Sequence, residues 1–235
     1  PTVNVTDVAV SCAEEVVSDV SKVAAEGDTL PGDTLLMEII PSGGVAINAS
    51  GKVAFHGKTA GTETANIDAL FTQDGLVVQE NQTLSDDSIL TQIIIEGGVA
   101  INANGKVAFH GEAESGVTDD DAVFTQAGVI AKEGQTLSGG RLLNEISSSG
   151  GVAINDLDQV AFHGKIEVEG GLFDELLQVV LTSDGVAAQE GDELDGSELA
   201  EIKELGGVAI NNAGQVAFHG NVFDFDFGDD EIPAV

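Results

Sequence analysis

Short apolar runs broken by polar turns recur along this chain with a period of about fifty-three residues, so the repeat is the first feature to interpret. Each period has three parts. Residues 68–80 (DALFTQDGLVVQE), 121–133 (DAVFTQAGVIAKE) and 178–190 (QVVLTSDGVAAQE) read as two β-rich segments joined by a short Gly-containing turn, which predicts a hairpin. A loop follows, as GDTLPGDTLL from Gly27, NQTLSDDSIL from Asn81, GQTLSGGRLL from Gly134 and GDELDGSELA from Gly191. It runs into a short apolar piece that fits either one helical turn capped by Asp33, Ser88 or Ser197, or an extended segment; the extended form is expected. The third part, GGVAIN–turn–VAFHG, stands at residues 43–57, 97–111, 150–164 and 206–220.

In that third part the turn reads NASG, NANG and NNAG in three copies, an Asn followed three residues later by Gly. This spacing suits a type I turn closed by a left-handed residue and a bulge. The third copy has Asp158 in place of Gly, and Asp is among the few residues that tolerate the left-handed region. On the strand that follows, alternation places Val53 and Phe55 on one face and Ala54 and His56 on the other.

Both ends depart from the pattern. Residues 2–12 alternate as Val3, Val5 and then Val8, Val10, Cys12, which predicts a strand outside the repeat frame. Residues 14–27 resemble 178–191, so the first unit begins at about Glu14 and residues 1–13 form an extension. At the other end Phe223, Phe225 and Phe227 alternate with Asp224 and Asp226, in the place of DALFT, and residues 228–235 are expected to be a solvated acidic tail.

Units of this size with four expected strands match the blade of a propeller, so the expected fold is an all-β four-bladed β-propeller over residues 14–227 with an extra N-terminal strand. A linear β-solenoid is the alternative. The spare strand can close its own ring, or it can join a sheet edge of a second copy, a heterologous contact that builds filaments.

Charge narrows the function. Eight basic residues against 41 acidic ones give a net charge of −33, a surface that repels nucleic acid and anionic membranes. No run of about 18 apolar residues occurs, so no membrane insertion is expected. The lone Cys12 has no internal partner for a disulfide, and Pro1 in place of an initiator Met suits a processed or trimmed chain. Sequons at Asn4, Asn48 and Asn81 are present, the second inside the repeated turn.

The repeat also resembles a known family: bacterial extracellular proteins with a tandem NxxGxxAF repeat and varied cell-surface anchors. The match is carried by Asn48, Gly51, Ala54 and Phe55; by Asn102, Gly105, Ala108 and Phe109; by Asn155, Ala161 and Phe162, with Asp158 for Gly; and by Asn211, Gly214, Ala217 and Phe218. The resemblance implies a secreted or surface-exposed, propeller-like protein and no catalytic residues.

Two sets of side chains could hold metal. His56, His110, His163 and His219 would form a four-fold ring around the axis of a propeller if they pointed into its channel; otherwise each fixes its own blade by bonding backbone. Aspartates cluster at Asp119, Asp120 and Asp121, at Asp192 with Asp195, at Asp86–Asp87, at Asp156 with Asp158, and at Asp229–Asp230–Glu231. Such clusters can ligate calcium, with Asp119, Asp120, Asp121, Asp192 and Asp195 the named candidates, although none matches an EF-hand loop. GxSxG, HExxH, P-loop and CxxC motifs are absent. The expectation is therefore a non-enzymatic extracellular structural protein that associates with itself through residues 2–12 and a sheet edge. The alternative is a surface module that binds a ligand or carbohydrate, which would have to do so without Trp or Tyr.

Overall fold

In the first three units the strand that carries VAFH stands inside the sheet with partners along both edges, and in the fourth it is interrupted at His219. A computed structural model describes residues 21–61, 66–114, 119–167, 176–224 and 231–234, and among them the fold is all-β with short 3-10 turns. The first unit contains β1 (Thr29–Leu30), β2 (Thr34–Ile39), β3 (Val45–Ile47), β4 (Val53–Ala60), β5 (Asn66–Thr72) and β6 (Gly75–Gln79). Along one edge β4 pairs with β3, Val45 opposite Phe55 and Ile47 opposite Val53, and then with β2, Ile39 opposite Gly57. Along its other edge it pairs with the whole of β5, and β6 pairs with β5. Each sheet is thus antiparallel throughout, which lets short turns join neighbouring strands.

The second unit repeats this with β7 (Gln82–Thr83), β8 (Ile89–Ile93), β9 (Val99–Ile101), β10 (Val107–Glu114), β11 (Asp119–Thr125) and β12 (Gly128–Lys132). In the third, β13 (Leu143–Ile154) runs unbroken across the place of two strands, with a register shift between Ser147 and Val152, and is followed by β14 (Val160–Glu167), β15 (Leu176–Thr182) and β16 (Gly185–Gln189). The fourth contains β17 (Glu193–Leu194), β18 (Ser197–Ile202), β19 (Val208–Ile210), β20 (Val216–Phe218), β21 (Gly220–Asp224) and β22 (Glu231–Ala234). The piece that could have been a helical turn is extended in every unit, as β2, β8, the start of β13, and β18.

Two expectations change. A sheet does not begin at the hairpin of residues 68–80, as the sequence frame suggested. It begins at the loop before β2 and ends with that hairpin, because β4 bonds forward to β5 as well as back to β3. The C-terminal residues Glu231–Ala234, expected to lie in a tail, form a strand, with Val222 opposite Ile232 and Phe223 opposite Glu231. β22 therefore takes the place beside β21 that β5 takes beside β4. The N-terminal strand expected at residues 2–12 and the start of the first unit at Glu14 lie outside the described residues, as does Cys12.

Alternation gives each sheet two unlike faces. Phe55, Phe71, Leu36 and Ala69 point to the front of the first sheet, while Ala54, Leu70 and Val78 point to the back. The back residues Ala54, Leu70 and Val78 share one core with the front residues Leu90, Val107, Phe109 and Phe124 of the second unit. Likewise Ala108, Val123 and Ala131 pack on Phe162 and Leu181, and Val180 and Ala188 pack on Leu199 and Ile202. Large residues on each front thus fill the space above small residues on the preceding back, which removes apolar surface from water and fixes the order of the units.

Candidate functional site

The joints between units hold the most elaborate chemistry in the molecule. Each begins at the repeated turn. Asn48 accepts at Oδ1 from the Ser50 and Lys52 amides, 3.0 and 2.9 Å away, which closes its own turn, and its carbonyl accepts from the Gly51 amide at 3.0 Å. The residue completing the turn is left-handed in all four copies: Gly51, Gly105, Asp158 (φ 67°) and Gly214. The Asn amide nitrogen is left over, and it reaches forward. Asn48 Nδ2 donates to the Asn102 carbonyl at 2.7 Å, Asn102 Nδ2 to the Asn155 carbonyl at 3.0 Å, and Asn155 Nδ2 to the Asn211 carbonyl at 2.8 Å.

The histidines form a second ladder beside the first. His56 Nε2 bonds the Gly98 carbonyl at 3.4 Å, His110 the Gly151 carbonyl at 3.1 Å, and His163 the Gly207 carbonyl at 3.2 Å. A carbonyl only accepts, so Nε2 carries the proton in each ring. Nδ1 of His110 and of His163 is buried with no hydrogen-bond partner. Burial holds all three imidazoles below their ordinary pKa, and pushes His110 down to about 4. The rings are therefore neutral at physiological pH.

The paired glycines before VAIN serve this ladder. A Cβ on Gly97 would lie 2.6 Å from the Cβ of His110, so the first glycine of the pair makes room for the histidine of its own unit. The second, Gly98, has φ 67° and ψ −168°, a conformation nearly restricted to glycine, and it turns its carbonyl toward the histidine of the preceding unit.

A third link escaped sequence reasoning. Glu80 Oε1 accepts from the Ile93 amide at 3.0 Å, Glu133 Oε1 from Ile146 at 2.8 Å, and Glu190 Oε1 from Ile202 at 3.1 Å. Glu26 makes the same bond to the Ile39 amide at 3.2 Å. Each accepts from the residue that pairs with the glycine of VAFHG in the unit that follows it. The sequence signal was available, a Glu at the end of every second hairpin strand, but among so many carboxylates it read as solvation. Burial raises the pKa of Glu80 and Glu133 even against these bonds.

Among the described residues the metal candidates do not converge. His56, His110 and His163 are aimed at neighbouring carbonyls rather than at one another. Asp119, Asp120 and Asp121 lie in succession on β11, where alternation sends them to opposite faces, and Asp120 pairs with Lys132 at 3.4 Å. Asp192 accepts from the Gln189 amide at 2.9 Å, and Asp195 stands in the tight turn between β17 and β18. Asp156 joins units, accepting from the Ala103 amide at 2.7 Å and from Asn212 Nδ2 at 2.8 Å, and these bonds lower its pKa. No three His, Cys, Asp or Glu side chains stand close enough to share a metal among the described residues. No helix among them is long and apolar enough to cross a membrane.

The two ends of the series are unlike its interior. At the front of the first unit Val45 and Ile47 are 70% exposed, whereas the equivalent Ile101 is 9% exposed. Beside them lies an apolar groove of about 500 Å³, lined by Val23, Ile39, Pro41, Val45, Val53 and Phe55 among others. At the back of the fourth unit Ala209, Ala217 and His219 are exposed, although His110 and His163 are wholly buried. Asn211 Nδ2 turns to Gln215 Oε1 of its own turn at 2.9 Å. Among the described residues neither Asn211 Nδ2 nor His219 Nε2 reaches a carbonyl of another unit. Among the described residues each ladder therefore ends at a donor that reaches no further unit and begins at a carbonyl, of Asn48 or Gly44, that receives none from a preceding unit.

One protein family's profile matches residues 2–231, a family of unknown function designated DUF7453. No curated protein and no solved structure matches the chain.

Proposed function

Since the chain belongs to that family of unknown function, DUF7453, we propose from its geometry that it is a non-enzymatic, extracellular structural protein that associates with itself. The observation that carries this reading is the use of the recurring polar groups of the repeat: Asn and His, the residues with the richest chemistry, are consumed in joining one sheet to the next. A nucleophile with a base, or a convergent set of acids in a cleft, is what an enzyme would offer.

The finer architecture belongs to the same proposal. The four units act as blades, packed front to back in the manner of a β-propeller, and the joint that would complete a ring is made between molecules. The N-terminal strand of residues 2–12 adds to such an assembly at a sheet edge. An extracellular setting agrees with the strongly acidic surface and with the resemblance of the repeat to secreted proteins.

A ligand- or carbohydrate-binding surface module ranks second. The groove beside Val45 favours apolar contact, and its lining offers few polar groups to orient sugar hydroxyls. Sedimentation velocity of the full chain over a hundredfold range of concentration tests the first reading. A weight-average mass that climbs with concentration supports it, and a mass fixed at one chain of 24.0 kDa removes it.

A further inference from the structure

Resting on that reading of self-association, we infer that the contact is head to tail and that it repeats the internal joint: the back of the fourth unit of one copy docks on the front of the first unit of a second copy. In this joint the His219 imidazole donates to the Gly44 carbonyl, and Asn211 Nδ2 turns from Gln215 to the Asn48 carbonyl.

Four observations converge on this contact. The same joint is already made three times within the chain, with the same atoms, so both surfaces are proven partners in form. Gly44 holds φ 72° and ψ 176°, the conformation by which Gly98 and Gly207 present their carbonyls to a histidine, though no preceding histidine meets it here. That nearly glycine-only backbone is set up for a donor. Both exposed surfaces also keep the composition of an interior joint, with Val45 and Ile47 on one end and the small Ala209 and Ala217 on the other.

The fourth observation concerns the residues just before the first sheet. Ala24 packs against the first unit's front core, as Ala188 packs against the fourth's, and Glu26 bonds Ile39 as Glu190 bonds Ile202. The chain thus enters the first unit as though leaving a preceding one. Among the described residues the fourth sheet, in turn, has β22 beside β21 where the first three carry a two-strand hairpin.

The faces are different, so the contact is heterologous and need not stop at two copies. Both partners are strongly anionic, and the bonds in the joint are between neutral groups. Screening by salt therefore strengthens the association instead of weakening it.

Two capped variants test this. Ala217→Lys with His219→Ala blocks the back of the fourth unit, and Val45→Lys with Ile47→Lys blocks the front of the first; all four side chains are exposed, and unchanged melting curves verify folding. The full chain should associate, more strongly at 0.5 M than at 0.05 M NaCl. Each variant alone should remain one chain at concentrations at least tenfold higher, and an equal mixture should form dimers and nothing larger. A blocked variant that associates like the unaltered chain overturns the inferred contact but leaves self-association standing. An unaltered chain that never exceeds one-chain mass defeats both. Hydrogen exchange of the unaltered chain gives a readout free of substitutions. Protection at residues 44–48 and 211–220 should rise together with concentration, whereas protection of both ends at one-chain mass means that the chain closes on itself and overturns the second copy.

Discussion

The imidazole Nε2 of His110 donates to the carbonyl of Gly151, forty-one residues later, across 3.1 Å, from a ring that is itself sealed from water. The bond joins two sheets that share no backbone pairing, and its two residues come from different copies of the same motif. It shows in one contact how the repeat works. The histidine of each copy is seated by the first glycine of its own pair and received by the second glycine of the next.

Replacing that histidine should be costly, and replacing its fourth copy should not. His110→Ala leaves a cavity and takes the donor from the Gly151 carbonyl, which together cost about 2–4 kcal/mol. His219→Ala, at an exposed position, should change the stability of dilute single chains by less than about 0.5 kcal/mol. Urea unfolding at low concentration measures both. Equal effects would mean that the ring matters only to its own sheet.

The two glycines of a pair should fail for different reasons. Gly97→Ala forces a Cβ against His110, which must move and abandon Gly151. Gly98→Ala meets nothing in space but holds a backbone conformation that costs a non-glycine residue about 1–3 kcal/mol. Adding His110→Ala should relieve most of the first defect by removing the clashing ring and none of the second. A double-mutant cycle reads this directly.

Asn102 carries two separable jobs. Asn102→Asp keeps an oxygen for the Lys106 amide, 2.9 Å away, but loses the donor to Asn155 and sets a carboxylate beside that of Asp158. Asn102→Ala loses both jobs without adding a charge. The Asp variant should unfold about 1–3 kcal/mol below the native chain, and its deficit should shrink at high salt, while that of the Ala variant should not. Urea melts at two NaCl concentrations check the difference.

The buried ladder should make the chain sensitive to mild acid. The pKa of His110 is about 4 in the folded chain and about 6.5 when unfolded, so the unfolded state binds the extra proton. Its share of stability is complete above pH 6.5 and is lost as pH falls from there toward 4, about 3 kcal/mol in all. Glu80, Glu112, Asp121 and Glu133 act the other way, since burial and neighbouring carboxylates raise their pKa and acid relieves them. Comparing the native chain with His110→Gln isolates the histidine. The stability advantage of the native chain over that variant should shrink steadily between pH 6.5 and 4, and a constant difference would contradict the linkage.

Much of this was legible in the sequence where the cause is local. The turn could be read from Asn, Gly and the one Asp that replaces Gly, because the demand for a left-handed residue acts within four positions. The two faces of β4 follow from alternation at Val53, Ala54, Phe55 and His56. What could not be read is set by partners far along the chain. Nothing near Glu80 says that it will bond the Ile93 amide, and nothing near Asn48 says that its spare amide proton will cross to Asn102. The frame of the sheets was missed for the same reason, since pairing of β4 with β5 spans the sequence boundary between repeats. A histidine repeated four times suggested a ring of ligands, whereas His56, His110 and His163 are each matched to a backbone carbonyl one unit away.

Electron microscopy of the full chain, concentrated in 0.5 M NaCl, tests the central claim most directly. Unbranched, single-file assemblies with one chain per axial repeat are the expected result. Separate particles of single-chain size at every concentration would contradict it.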